Sequence, residues 1–271
     1  MTGLTRSLQT LELTVSNGVA RLWLSRPEVH NAFNEVMIAE MTQLCADLDA
    51  DDSVRAIVLG GRGKTFSAGA DVEWMRRMAG YGAADNRADA GRMAAMLAAL
   101  DGLGKPLVAR VHGAALGGGV GLIACADLVV VTRGAKIGTT EVRLGILPSV
   151  IGPYVLRKIG FAHCRHHFLL GDRFDADEAW RIGLVSHVVD DEAALDARVD
   201  SLLTELRAGS PAAQRECKRL LRQLGATTDP AMQIEETVET IARARASSDG
   251  QEGLAAFLEK RAPSWSAPPT A

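Results

Sequence analysis

The sequence predicts a mixed α/β fold, and three observations carry that expectation. Hydrophobic residues make up 47% of the 271-residue chain while aromatic residues supply only 4%, a balance that suits close-packed helices better than a sandwich of aromatic-rich strands. Short apolar runs of strand length alternate with stretches of helical spacing. Glycines repeatedly mark the passage from a strand into a helix.

Residues 11–16 and 19–24 alternate in polarity around Asn17-Gly18, the two-residue turn whose positive φ angles match a hairpin's twist, so an antiparallel pair opens the chain. A helix follows over 34–48, where Val36, Met37, Met41, Leu44 and Leu48 recur at helical spacing and Asn34 is placed to cap the first amides. The apolar run 56–59 predicts a strand closed by Gly60-Gly61, and the loop RGKTFSAGAD leads from it into a short helix over 72–78. A longer helix is expected over 87–100, then a strand over 107–111, the glycine run 117–119 opening a helix to 125, and a strand over 128–132. Beyond Pro148 helices are expected over 151–159, 162–170 and 176–182, a short strand over 186–189, and helices over 192–207, 211–224 and 229–246, with the tail SWSAPPTA frayed.

Bulk properties narrow the function. The formal charge of −3 offers no basic footprint for nucleic acid. Cys45, Cys125, Cys164 and Cys217 lack metal-binding spacing and are expected to be buried, reduced thiols. The N-terminus has no apolar signal region and no window has the length of a membrane span, so a cytoplasmic protein is expected.

Three familiar signatures fail on counting. Gly63-Lys64-Thr65 follows a strand as a phosphate loop would, but Val58 stands where that loop needs its first glycine. Gly119-x-Gly121-x-x-Ala124 resembles a dinucleotide fingerprint, yet its acid should end the next strand near Thr132, and Glu141 lies beyond it. Ser67 lacks the preceding glycine of a nucleophile elbow, since Thr65 occupies that place. Two glycine-rich turns remain, at Ala68-Gly69 and Gly117 to Gly119, each between a strand and a helix. If they converge, their amides can hold an oxyanion or enolate; otherwise the small residues serve only close packing. His163, His166 and His167 read as a solvated or packed helix face, so no metal is expected. His112 reads as a loop anchor, and Trp74 and Met75 as acyl-pocket lining or core.

FSAGAD at 66–71, HGAALGGG at 112–119, CADLVVV at 125–131 and TEVRLGILP at 140–148, flanked by RPEVHNAFN at 26–34 and GLAAFLEKRAP at 253–263, resemble in order and spacing the crotonase (enoyl-CoA hydratase/isomerase) superfamily over nearly the whole chain. The resemblance implies a crotonase-like spiral of ββα repeats over 1–200 that binds acyl-CoA. It also implies a C-terminal helical region over 201–271 for trimerisation and CoA contact, giving a homotrimer or a dimer of trimers. It implies an acyl-CoA thioester substrate, with coenzyme A entering as part of that substrate and no cofactor bound permanently. By motif position the enolate-holding amides belong to Ala68 and Gly118, and Glu141 is the catalytic acid-base. Ala32, Ala70, Asp71, Trp74, Gly117 and Gly121 are expected along the substrate, with Phe257 and Lys260 reaching it from a neighbouring subunit.

One departure bears on the reaction. Hydratases of the family carry two glutamates, and the position of the first is Gly121 here. An enoyl-CoA hydratase using Glu141 is the leading expectation, and a Δ3,Δ2-enoyl-CoA isomerase with one glutamate is its rival. Ser149 disfavours a dienoyl-CoA isomerase, whose extra acid would stand there, and an RNA-binding role lacks the basic helix it needs. FSAGADVEWM and GGGVGL are similar to the methylglutaconyl-CoA and isohexenylglutaconyl-CoA hydratase branch, and the missing side chain at Gly121 is expected to enlarge the site for a branched or carboxylated acyl group.

Overall fold

The computed structural model describes residues 4–266. A short first strand, β1 (Leu4–Ser7), pairs antiparallel with β2 (Leu11–Ser16), which pairs antiparallel with β3 (Val19–Leu24). Asn17 and Gly18 take φ of 49° and 73° in the turn between them, the left-handed pair that the hairpin demands. Asn34 caps α1 (Glu35–Ala50) by accepting the Met37 amide at 2.9 Å.

Three units then repeat one plan. β4 (Ala56–Gly61) joins the main sheet, Ser67 bridges to Ala115 in a second layer, and α2 (Val72–Met78) and α3 (Ala83–Gly102) follow. β5 (Leu107–Val111) is followed by β6 (Ala114–Leu116) and α4 (Gly118–Cys125). β7 (Leu128–Thr132) is followed by β8 (Lys136–Gly138), a 3-10 turn at Glu141–Leu144 and α5 (Gly152–Leu170). β9 (Arg173–Phe174), α6 (Ala176–Arg181), β10 (His187–Val189) and α7 (Glu192–Ala208) complete the core. The large sheet runs β1-β2-β3-β4-β5-β7-β10, parallel from β3 onward, and the small one runs β6-β8-β9. Each unit thus sends a strand to the large sheet and a strand, or in the first unit the Ser67 bridge, to the second layer before its helix, which is a spiral of ββα repeats.

Alternation along the parallel strands feeds two cores. Ile57, Leu59, Leu107 and Ala109 pack into the larger cluster with α1, α3 and α4, whereas Ala56, Val58, Val108 and Val130 face Leu195, Val199 and Leu202 of α7. A parallel strand covered on both faces reads as a near-continuous apolar run, interrupted in β5 by the buried Arg110.

The structure departs from the sequence expectations in several places, the unexpected short strands β1, β6, β8 and β9 among them. Gly160, at φ 71°, kinks α5 and joins the two helices expected over 151–159 and 162–170. An additional helix, α10 (Ser248–Leu258), follows α8 (Pro211–Ala226) and α9 (Pro230–Ala246) and is capped by Ser247. The start of the tail is anchored, with the Trp265 carbonyl accepting from Arg55 Nη1 at 2.7 Å; 267–271 lie outside the described residues. Cys217 is exposed, while the other three thiols are buried. Helices α8 to α10 bury little in the single chain, leaving Leu221, Met232, Ile234, Val238, Phe257 and Leu258 exposed. No helix among the described residues is long and apolar enough to cross a membrane.

Candidate active site

The loop before α2 is fixed from several sides. Asn31, fully buried at φ 55°, donates to the carbonyls of Arg62 and Thr65 at 2.9 and 2.6 Å, and its own carbonyl accepts from Ser67 Oγ at 3.0 Å. Ser67 ties the loop to β6 through Ser67 N–H to Ala114 O and Leu116 N–H to Ser67 O, both 3.0 Å. Three successive amides then meet different fates. Ala68 N–H donates to His30 O at 2.9 Å, and Gly69 N–H lies 3.3 Å from Ser67 Oγ. Ala70 sits opposite Phe33 in a parallel bridge made by its neighbours: Phe33 N–H donates to Gly69 O and Asp71 N–H to Phe33 O. Strand alternation therefore turns the Ala70 N–H the other way, and it has no acceptor among the described residues.

This corrects the motif-based expectation for Ala68, whose amide is spent within the protein.

The second turn comes from the β6–α4 junction. Gly117 takes φ 52° and ψ −118°, a conformation that favours glycine, and donates to Gly138 O at 2.9 Å. Gly118 begins the helix, so its N–H has no intrahelical acceptor, and none other is present among the described residues. The two turns do converge: a Cβ on Gly69 would stand 2.9 Å from Leu116 O and 3.7 Å from Gly117 Cα.

Glu141 closes the arrangement from the 3-10 turn after β8, with Oε1 3.3 Å from where a Gly117 Cβ would stand. Its Oε2 is buried without a hydrogen-bond partner among the described residues. Burial pushes the carboxyl above its ordinary range, with its own backbone N–H pulling the other way. Glu141, Ala70 and Gly118 line one cavity of about 140 Å³ together with Phe33, Trp74, Met93 and Ile151. Two unspent amides beside a carboxyl of raised pKa can hold a developing oxyanion and move a proton next to it.

Gly121 does not open the site. A Cβ there would lie 2.4 Å from Ile151 Cγ2 and 3.5 Å from Leu97 Cδ2, so the isoleucine fills the volume that the missing side chain was expected to vacate. The cavity wall on that side is apolar.

The other expected residues divide. Trp74 lines the cavity, as does Met78, but Met75 does not. Asp71 is engaged in scaffolding: Oδ1 caps α2 by accepting from Glu73 and Trp74 amides, and Oδ2 pairs with Arg26 Nη2 at 2.8 Å. Burial opposes its ionisation, but the Trp74 amide and Arg26 hold its carboxyl below the usual range. Arg26 also donates to the carbonyl of the buried Ala32, joining both loops. Phe257 is 81% exposed at the end of α10, near Lys260 with φ 55°. His112 anchors a loop through Nε2 to Gly63 O at 2.8 Å. His167 is packed: buried, stacked on Phe174 and 2.9 Å from Asp172 Oδ1. Sequence spacing had not linked that carboxylate to the histidines, though His166, His167 and Asp172 lie close together.

Comparison with known proteins identifies the family and the fold. The sequence profile of the enoyl-CoA hydratase/isomerase family matches residues 14–268. The crotonyl-CoA hydratase of Syntrophomonas wolfei is 33% identical over 246 residues, covering 90% of this chain and 92% of the relative. The crystal structure of an enoyl-CoA hydratase from Shewanella pealeana superposes with a TM-score of 0.92 at 39% identity, covering 96% of this chain and 97% of that one. Pseudomonas aeruginosa AtuE gives a TM-score of 0.92 at 36% identity, over 96% of this chain and all of that one. The chain belongs to the enoyl-CoA hydratase/isomerase family.

Proposed function

We propose that the chain is an enoyl-CoA hydratase, adding water across the double bond of a 2-enoyl-CoA thioester. The observation that carries this is the pair of unspent amides, Ala70 N–H and Gly118 N–H, lining one cavity with Glu141. Glu141 takes a proton from water as the water oxygen bonds to C3, and the electron pair of the double bond moves to the thioester oxygen as an enolate. The two amides hold that oxygen; one such donor typically contributes about 3–4 kcal/mol to the transition state. Glu141 then returns its proton to C2, giving the 3-hydroxyacyl thioester. Burial supports this shuttle, because it raises the carboxyl above its ordinary range and so makes it a stronger base toward the water proton.

Coenzyme A enters with the substrate, in fatty-acid or branched-chain acyl-CoA catabolism in the cytoplasm, and no resident cofactor, nucleic acid or membrane takes part. Exposed apolar side chains on α8 to α10 support a homotrimer or dimer of trimers, with 201–271 as the assembly region and Phe257 and Lys260 reaching a neighbour's CoA. Light scattering tests the assembly. For the activity, 2-enoyl-CoA and 3-enoyl-CoA substrates are followed by mass and by absorbance of the conjugated enoyl group. Gain of water by a 2-enoyl-CoA supports the proposal; double-bond migration without water gain would make the chain an isomerase instead.

A further inference from the structure

The last turn of α5 carries a cluster that the proposed reaction does not use. One ring nitrogen of His166, one of His167 and one oxygen of Asp172 all lie within 4.8 Å of one another. They meet because Gly171 ends α5 in the left-handed conformation, φ 57° and ψ 34°, and sends Asp172 back against the helix, where its Oδ1 stands 2.9 Å from His167 Nδ1. Two ligands on one zinc ion, each bound at about 2.0–2.2 Å, stand roughly 3 Å apart, so His167 and Asp172 already have the separation of neighbouring ligands. His166 is exposed and makes no hydrogen bond or ion pair among the described residues, which leaves its ring free to close the remaining gap.

The surroundings go beyond what packing requires. His167 is 3% exposed, and Phe174 fixes its ring at a centroid distance of 4.2 Å. Its Nε2 is buried without a hydrogen-bond partner among the described residues, with Glu178 Oε1 3.6 Å away. A metal-bound imidazole characteristically turns its other N–H toward a carboxylate, and an ion on Nδ1 would fix the proton on Nε2, facing Glu178. Arg181 holds that carboxylate in place by donating to both of its oxygens, at 2.6 and 2.7 Å. The carbonyl end of a helix favours a cation, and the Asp172 side chain, 29% exposed beside His166, leaves an ion a path in from solvent.

We infer that His166, His167 and Asp172 bind a divalent transition-metal ion of the zinc type, with Glu178 as the outer carboxylate and water completing the coordination. Two imidazoles and one carboxylate suit zinc better than calcium or magnesium, which prefer oxygen ligands. The ion ties the end of α5 to the start of β9 behind the turn that carries Glu141: a Cβ on Gly171 would stand 2.7 Å from Val142 Cγ2, and Thr139 Oγ1 donates to His167 O at 3.4 Å. The site lies outside the cavity, so it holds whichever reaction the cavity runs.

The full-length, untagged chain, stripped of metal by a chelator and titrated with zinc chloride in a calorimeter, tests this. A tight equivalent of zinc per chain is expected, weakened by about tenfold or more in His166→Ala and in Asp172→Asn and kept within about twofold in His163→Ala. His166→Ala alters an exposed side chain, and Asp172→Asn keeps an acceptor for His167 Nδ1, so both variants retain the fold. Because the ion binds the folded cluster, saturating zinc should raise the thermal midpoint of the unaltered protein and leave that of His166→Ala unmoved. Lack of saturable zinc binding, affinity undiminished in His166→Ala or Asp172→Asn, or a midpoint that zinc shifts equally in both proteins overturns the inference. So does loss of binding in His163→Ala, which would make the site a histidine pair on the helix face. None of these outcomes bears on the hydratase proposal, which is read from water gain.

Discussion

Gly121→Ala, made alone and together with Ile151→Ala, tests whether the isoleucine fills the position of the absent side chain. A methyl at residue 121 would sit 2.4 Å from Ile151 Cγ2, and Ile151 is 3% exposed. Ordinary carbon contacts lie at about 3.5–4.0 Å, so a β-branched side chain in a packed wall must retreat by more than about an ångström. Overpacking of this kind costs about 1–3 kcal/mol. Replacing a helical glycine by alanine returns about 1 kcal/mol, leaving a net loss of about 0–2 kcal/mol. Ile151→Ala alone costs about 2–5 kcal/mol through the cavity it creates. In that background the Cγ2 clash is gone and only the Cβ at residue 151, 3.1 Å away, has to give by a few tenths of an ångström, so Gly121→Ala becomes neutral or stabilising by up to about 1 kcal/mol. The coupling between the two substitutions is therefore up to about 3 kcal/mol. Equilibrium urea unfolding of the four proteins at one protein concentration measures it. Equal effects of Gly121→Ala in both backgrounds would refute the argument that these two residues share one volume.

Glu141→Gln is expected to lower the rate of water addition by about 10²–10⁴-fold, measured by loss of enoyl absorbance. Because burial raises the Glu141 carboxyl, the rate should climb with pH through a value above the ordinary carboxylate range, and that limb should vanish in Glu141→Gln. The same shift has a stability consequence: the folded state holds this proton more tightly than the unfolded one, so the associated stability is complete below the unfolded value and is lost as pH rises through the folded value. Thermal midpoints should accordingly show Glu141→Gln gaining on the unaltered protein across that window and no further above it. Asp71 has the opposite sign, its carboxyl being lowered, so its contribution is present above the unfolded value and lost as pH falls through the folded one. Asp71→Asn keeps a competent helix cap but loses the Arg26 ion pair, and should cost about 1–3 kcal/mol in urea unfolding near neutral pH.

The elements that were legible in the sequence are those with a local cause. The hairpin turn at Asn17-Gly18, the strands β5 and β7 and the helix α2 fall on their expected bounds because turn chemistry, apolar runs and a capping Asp71 act within a few residues. β6, β8 and β9 are only two or three residues long and exist because they pair with one another across the small sheet, which leaves no periodicity to detect. In the site, Glu141 and both glycine turns were visible as residues, but the direction of an amide was not. Ala68 and Ala70 look alike in a sequence; the bridge between Phe33 and Ala70 decides which N–H is turned away from the protein. Gly121 likewise announces a missing side chain without revealing that Ile151 lies against it.

Placing the proposed anion-holding groups, the amides of Ala70 and Gly118, on the main chain removes them from the reach of ordinary side-chain deletion. Alanine scanning leaves Ala70 as it is, and at Gly118 it adds a methyl 2.9 Å from Phe33 Cε2 without removing the N–H. A scan of the cavity would therefore report Glu141 and the apolar walls and miss both donors. What natural variation has to preserve at these two positions is a path of the backbone, held by Asn31, Ser67 and the left-handed Gly117, together with the room at Gly118 that Phe33 leaves for no side chain.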